Sequence, residues 1–170
     1  MLETFFKHPL DLKDAYALHI VGRLDRGYLM ETVNFVLNNG TFTESLNALF
    51  FGEDLPYEEL TPLFEKVCRE FDVTPFSQKD AAFHIARILF ARGIAGEVRL
   101  EKVVKYLYNI SFQLSPSPEE DMGKYLDIER IYGAHVLLDD TIGNRFLNEA
   151  AAYAQLRKTV VAWLEKHTAK

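Results

Sequence analysis

Apolar residues in this chain recur three and four positions apart from Leu12 to Leu164 and almost nowhere alternate with polar ones. That spacing marks helices with one face turned to a core, whereas a half-buried strand needs a period of two. Asn39-Gly40, the only dipeptide suited to a tight hairpin, follows a helical pattern. Asp11 is placed to cap a helix to about Gly22, with Leu12, Ala15, Tyr16, Leu18, His19 and Val21 on the helical spacing. Asp25 caps the next, carrying Leu29, Val33, Val36 and Leu37 and stopping at Gly40, where a left-handed residue costs little. Thr43 and Glu44 open a short helix holding Leu46, Leu49 and Phe50, which Gly52 ends. From Pro56, the run Leu60, Leu63, Phe64, Val67, Phe71 predicts a longer amphipathic helix. Glu58 and Glu59 lie at its positive end, and Pro75 breaks it.

Ser77 with Asp80 three residues on is close to a capping box. The segment behind it (Ala82, Phe83, Ile85, Ala86, Ile88, Leu89) predicts a helix buried nearly all round and ending at Gly93. After Gly96 a helix to about Phe112 sets Leu100, Val103, Val104, Leu107 and Ile110 opposite Glu101, Lys102 and Lys105. Ser115-Pro116-Ser117-Pro118 predicts a loop at about residues 114–118. With Ser117 as cap and Pro118 at the first helical position, it also announces a helix to about Leu138. The last helix, from about Thr141 to His167, is expected to be the longest. It carries Arg157, Lys158 and Lys166 toward its C-terminal end, and Trp163 is expected to dock it.

The fold class expected is all-α, a compact domain of about seven to eight helices covering residues 1–170, since 170 residues is within the size of one domain. A faint echo joins Ala17-Leu18-His19-Ile20 to Ala82-Phe83-His84-Ile85, each followed by Arg-Gly (Arg26-Gly27, Arg92-Gly93). If it is a true repeat, the helices are stacked hairpins of a solenoid; short matches of common helix residues also arise by chance.

Composition narrows the class further. With 48% apolar and 26% charged residues the chain is globular, not disordered. One cysteine, Cys68, in an apolar helical pattern, fits a reduced compartment. Glu3, Lys7 and Pro9 interrupt any secretory h-region, so a cytoplasmic protein is expected. No apolar stretch approaches the roughly 18 residues of a membrane span. Net charge is −6, with 25 acidic against 19 basic side chains. The acids cluster at Glu53, Asp54, Glu58, Glu59, at Glu119, Glu120, Asp121, and at Asp139, Asp140. Such a surface repels nucleic acid and attracts a basic partner.

Reactive motifs are missing. The five histidines (8, 19, 84, 135, 167) include no pair at the spacing of a helical zinc site, and no Glu-x-x-His occurs. No metal, cofactor or catalytic residue is therefore expected, although a site assembled from His19, His84 and His135 would revive an enzyme. There is no Gly-x-Ser-x-Gly elbow, no Gly-x-Gly-x-x-Gly and no Walker A sequence. Paired acids at helix starts are ordinarily solvated or favoured by the dipole. Aromatic residues are more suggestive: Phe5-Phe6, Phe50-Phe51 with Tyr57, Tyr106 with Tyr108, and Tyr125 with Tyr132 exceed what one helical face hides. Two readings stand: a protein-binding patch of rings and acids, or an aromatic core with acids on its rim.

Short helical pairs joined at Gly27, Gly40, Gly52 and Gly93 over residues 11–140 give the chain an outline that resembles small all-helical bacterial families, including immunity proteins of toxin systems. The resemblance implies a non-enzymatic, acidic, cytoplasmic binding protein that neutralises a basic toxin domain, such as a nuclease, by direct contact. The residues expected to meet that partner are Glu53, Asp54, Tyr57, Glu58, Glu59, Glu119, Glu120, Asp121 and Tyr125, with Phe51 as a further anchor. The alternative is a helical-repeat scaffold or adaptor. A deep cavity ringed by converging ionisable side chains would count against the binding reading.

Overall fold

In a computed structural model, residues 5–144 and 146–168 are described, and among them the chain is all-helical with no strand. The α-helices are α1 (Leu12–Ile20), α2 (Arg26–Asn38), α3 (Glu44–Phe51), α4 (Tyr57–Glu70), α5 (Gln78–Ile94), α6 (Leu100–Leu114), α7 (Pro118–Asp121), α8 (Glu129–Thr141) and α9 (Glu149–Thr168). Their contacts sort the described residues into two compact units, one of residues 6–81 and one of residue 5 with residues 82–168. Helix α5 starts at the end of the first unit and lies mostly in the second.

In the first unit the caps read from sequence are made. The carboxylate of Asp11 accepts from the Asp14 N–H at 2.7 Å, Asp25 from the Tyr28 N–H at 3.0 Å, and the Thr43 hydroxyl from the Leu46 N–H at 3.1 Å. Gly40 closes α2 at φ +82°. Helix α1 packs on α2 and α4, and α3 packs on α2 and α4. The shared core is Leu18, Leu29, Val33, Leu46, Leu49, Leu60, Phe64 and Val67, all buried. Cys68 is buried with them, and burial pushes its thiol up to about 12.

Ser77 and Asp80, at the end of the first unit, cap α5, most of which lies in the second: the Ser77 hydroxyl donates to the Asp80 carboxylate at 2.6 Å and accepts from the Asp80 N–H at 3.1 Å. Ala82, Ile85, Ala86, Leu89 and Phe90 of α5 are fully buried. Trp163 docks α9 as expected: it stacks on Phe83 at 5.8 Å, meets Phe90 edge-on at 5.0 Å, and its indole N–H donates to the Leu126 carbonyl at 3.0 Å. Helix α9 is the longest, with 20 residues, but begins at Glu149. Gly143 turns the chain at φ +80°, and Asn148 accepts from the Ala151 N–H at the helix start.

One expectation needs correction, and one question left open by the sequence gains an observation. The helix read from Ser117 to Leu138 is broken: α7 has four residues, a 3-10 turn covers Lys124–Leu126, and α8 starts only at Glu129. Left-handed Met122, Gly123 and Asp127 make the break. At Gly123 (φ +90°) a Cβ would lie 2.9 Å from Ile128 Cγ1 and 3.2 Å from backbone atoms, so a side chain there would be both strained and crowded. The echo also falls on different structure. Arg26-Gly27 begins α2, whereas Arg92-Gly93 lies in the last turn of α5; His19 sits near the end of α1, whereas His84 sits mid-helix. A repeat would place its matched residues alike.

Candidate protein-binding surface

The predicted residues fall in two groups, one in each unit. In the first unit they surround the α3–α4 junction. Gly52 is forced by packing: a Cβ there would lie 3.0 Å from the Ala48 carbonyl oxygen and 3.0 Å from Leu55 Cδ1. The turn it permits is held by one side chain. The Arg26 guanidinium donates through Nη1 to the Glu53 carbonyl at 2.7 Å and through Nη2 to the Leu55 carbonyl at 2.6 Å. Side chains of Glu53, Asp54, Glu58 and Glu59 project to solvent from this fixed backbone, the last two on the first turn of α4.

Phenylalanine, not tyrosine, is the exposed aromatic here. Phe51 is 76% exposed and rests edge-on against Phe50 at 5.2 Å, and Leu55 in the following turn is exposed too. Phe42, at the other end of α3, is 67% exposed. Tyr57 is half-buried and its hydroxyl donates to the Leu24 carbonyl at 2.8 Å; burial, then Asp25, pushes that hydroxyl above its ordinary range. That hydrogen bond ties the start of α4 to the segment before α2. Phe42 was not singled out from the sequence, although a signal existed. It precedes the Thr43 cap, where an apolar residue usually packs on the fourth helical residue, and that residue is the polar Asn47.

In the second unit Glu119 and Glu120 are exposed, but Asp121 is only 3% exposed. It accepts from the Ser111 hydroxyl at 2.6 Å, the Tyr125 N–H at 2.9 Å and the Gly123 N–H at 3.0 Å. Burial raises its pKa, yet those hydrogen bonds outweigh burial and hold it below the ordinary carboxylate range. Asp121 is thus buried in the α7–α8 bend, its carboxylate engaged by the chain's own donors, unlike the exposed Glu119 and Glu120. Tyr125 is half-buried and lines a shallow pocket of about 250 Å³ with Ser115, Ser117, Glu120 and Lys124. Tyr108 and Tyr132, both half-buried, stack on each other at 3.8 Å.

Ionisable groups do gather in one place in the second unit, a half-open cleft of about 600 Å³ among α6, α8 and α9, lined by Arg99, Glu101, Lys105, Asp139, Ile142 and Tyr153. Two ion pairs line it, Lys105 to Asp139 at 3.1 Å and Arg99 to Glu101 at 3.6 Å, and so does Glu149 of α9. His135 lies against this cluster but is 1% exposed, shut off from anything bound in the cleft. His167 lies 2.9 Å from Asp127, which Lys166 also holds. In the first unit His19 lies 3.4 Å from Glu65. Among the described residues no three His, Cys, Asp or Glu side chains are grouped to hold a metal ion, and no helix is long and apolar enough to cross a membrane.

No protein-family model, curated protein or solved structure matches this chain.

Proposed function

We propose that this chain is a non-enzymatic binding module that docks on a basic protein through the α3–α4 junction of its first unit, and that it serves as an immunity or inhibitor protein for a basic toxin domain such as a nuclease. The observation that carries the reading is Phe51: a large ring left in solvent at the end of α3, beside a turn that Arg26 pins, with exposed Glu53 and Asp54 in that turn and Glu58 and Glu59 on the first turn of α4. A rigid exposed aromatic loses little conformational entropy on binding, and flanking carboxylates steer toward a positive surface. The Glu119–Glu120 edge of the second unit is an auxiliary acidic surface. A helical-repeat scaffold is less well supported, because the echo lies at unlike positions in α1 and α5.

The test is retention of proteins from the source cell on immobilised chain, compared with Phe51→Ala and with Glu53→Lys/Asp54→Lys. The expected outcome is a basic protein held by the unaltered chain. Its affinity should fall about 30-fold with Phe51→Ala, the scale of an interface hot spot of roughly 2 kcal/mol, and fall again on charge reversal. Equal retention by all three proteins would overturn the proposal.

A further inference from the structure

We infer that His135 is an acid-sensing latch: protonation of its buried imidazole draws Asp139 from Lys105, loosens α8 from α6, and opens the cleft among α6, α8 and α9. The latch lies in the second unit and does not depend on the α3–α4 junction.

Three observations carry it. First, His135 is 1% exposed, and neither Nδ1 nor Nε2 makes a hydrogen bond. A buried imidazole without partners is a destabilising arrangement, retained here inside a well-packed helix contact. Second, the nearest acceptor is contested. Asp139 Oδ2 lies 3.5 Å from His135 Nε2, beyond hydrogen-bonding reach, and that same oxygen is 3.1 Å from Lys105 Nζ. Asp139 thus ties α8 to Lys105 of α6 while facing an imidazole one turn away. Third, the cleft beside this pair gives the cluster somewhere to open.

The charged and titratable groups around His135 are Asp139 and Tyr132 on its own helix, Glu101 and Lys105 on α6, and Glu149 and Tyr153 of α9 along the cleft. Burial depresses the imidazole pKa. Asp139 opposes that, Lys105 reinforces it, and Glu101 opposes it more weakly, so the balance stays below the ordinary value. In an opened state the ring is hydrated and returns to about 6.5. The open state therefore binds the proton more readily. Above about pH 7 both states are neutral and pH has no leverage, and as pH falls through about 6.5 the balance moves toward opening. An imidazolium has two N–H donors, and the acceptor within a small shift of Nε2 is the oxygen that Lys105 holds.

The test uses the full chain. Ring C–H resonances are titrated by NMR, and hydrogen exchange of the α8 amides is compared between the unaltered chain and His135→Gln at about pH 7.5 and about pH 5.5, on either side of the ordinary imidazole range. Equal exchange is expected at the higher pH, with faster exchange in the unaltered chain at the lower one, and His135 should titrate below the ordinary imidazole value. Equal exchange at both values, or a His135 ring that titrates at or above about 6.5, would overturn the latch. Lys105→Met, at an exposed position, keeps the test decisive if His135→Gln does not fold. Removing the competitor for Asp139 should raise the His135 midpoint, and an unmoved midpoint would count against the latch.

Discussion

Glu120 and Asp121 are neighbours in one acidic run, yet one carboxylate faces water and the other is buried beneath three donors. Nothing in the composition of the run separates them. The difference arises because α7 stops after four residues and turns Asp121 back toward Ser111. Asp121→Asn places an amide N–H₂ among donors, and the expected cost is about 1–3 kcal/mol by urea denaturation at neutral pH. Because the folded pKa of Asp121 is depressed, its contribution is fully present above about pH 4 and is lost as pH falls through the folded value. Asp121→Asn should accordingly flatten the acid limb of the stability profile as well as lower the plateau. Cys68 presents a simpler residue-scale case, since its place among Leu63, Phe64 and Val67 already announced a buried thiol.

Among the elements, the short α3 and the turn behind it show how far one side chain can govern a surface. Arg26 opens α2, but its guanidinium donates to two carbonyls of the α3–α4 turn, so the acids there stand on a backbone fixed from a different helix. Arg26→Ala should cost about 1 kcal/mol or slightly more, the net worth of hydrogen bonds from a charged donor at an exposed site. It should also speed amide exchange at residues 53–56, measured by mass spectrometry. Partner affinity should fall as well, although no interface side chain is altered, because the aromatic and acidic groups would then have to be ordered on binding. Unchanged exchange at residues 53–56 would mean that the turn is held by Gly52 packing alone. Helix starts at Asp11, Asp25, Thr43 and Ser77 were legible because a cap is a local interaction within four residues. The break at Met122 to Asp127 was not, because it depends on Ser111, ten residues before Asp121.

For the molecule as a whole, a net charge of −6 acts at a distance that individual contacts do not. Association with a basic partner should slow as salt is raised from about 0.05 to 0.5 M, since the screening length falls from roughly 14 to 4 Å, while dissociation should change much less. Stopped-flow association rates check this, and a salt-independent rate would remove the acids from any steering role. The outward aromatic side chains carry the complementary short-range part. Phe146, 98% exposed between α8 and α9, and Ile142 beside the cleft add apolar surface to the second unit.

The amino-acid sequence by itself determined the fold class, the capped helix beginnings at Asp11, Asp25, Thr43 and Ser77, the buried stripes of α4 and α6, and the acidic balance. All of these follow from periodicity, capping and charge, which act along a few residues of chain. Only tertiary structure decided which members of each cluster face water. Tyr57, Tyr108 and Tyr132 are half-buried while Phe42 and Phe51 stand in solvent, Asp121 folds into a bend that Glu120 escapes, and His135 makes no hydrogen bond beside an aspartate already held by Lys105. Exposure and pKa depend on groups brought together from distant positions, and no local pattern encodes that meeting.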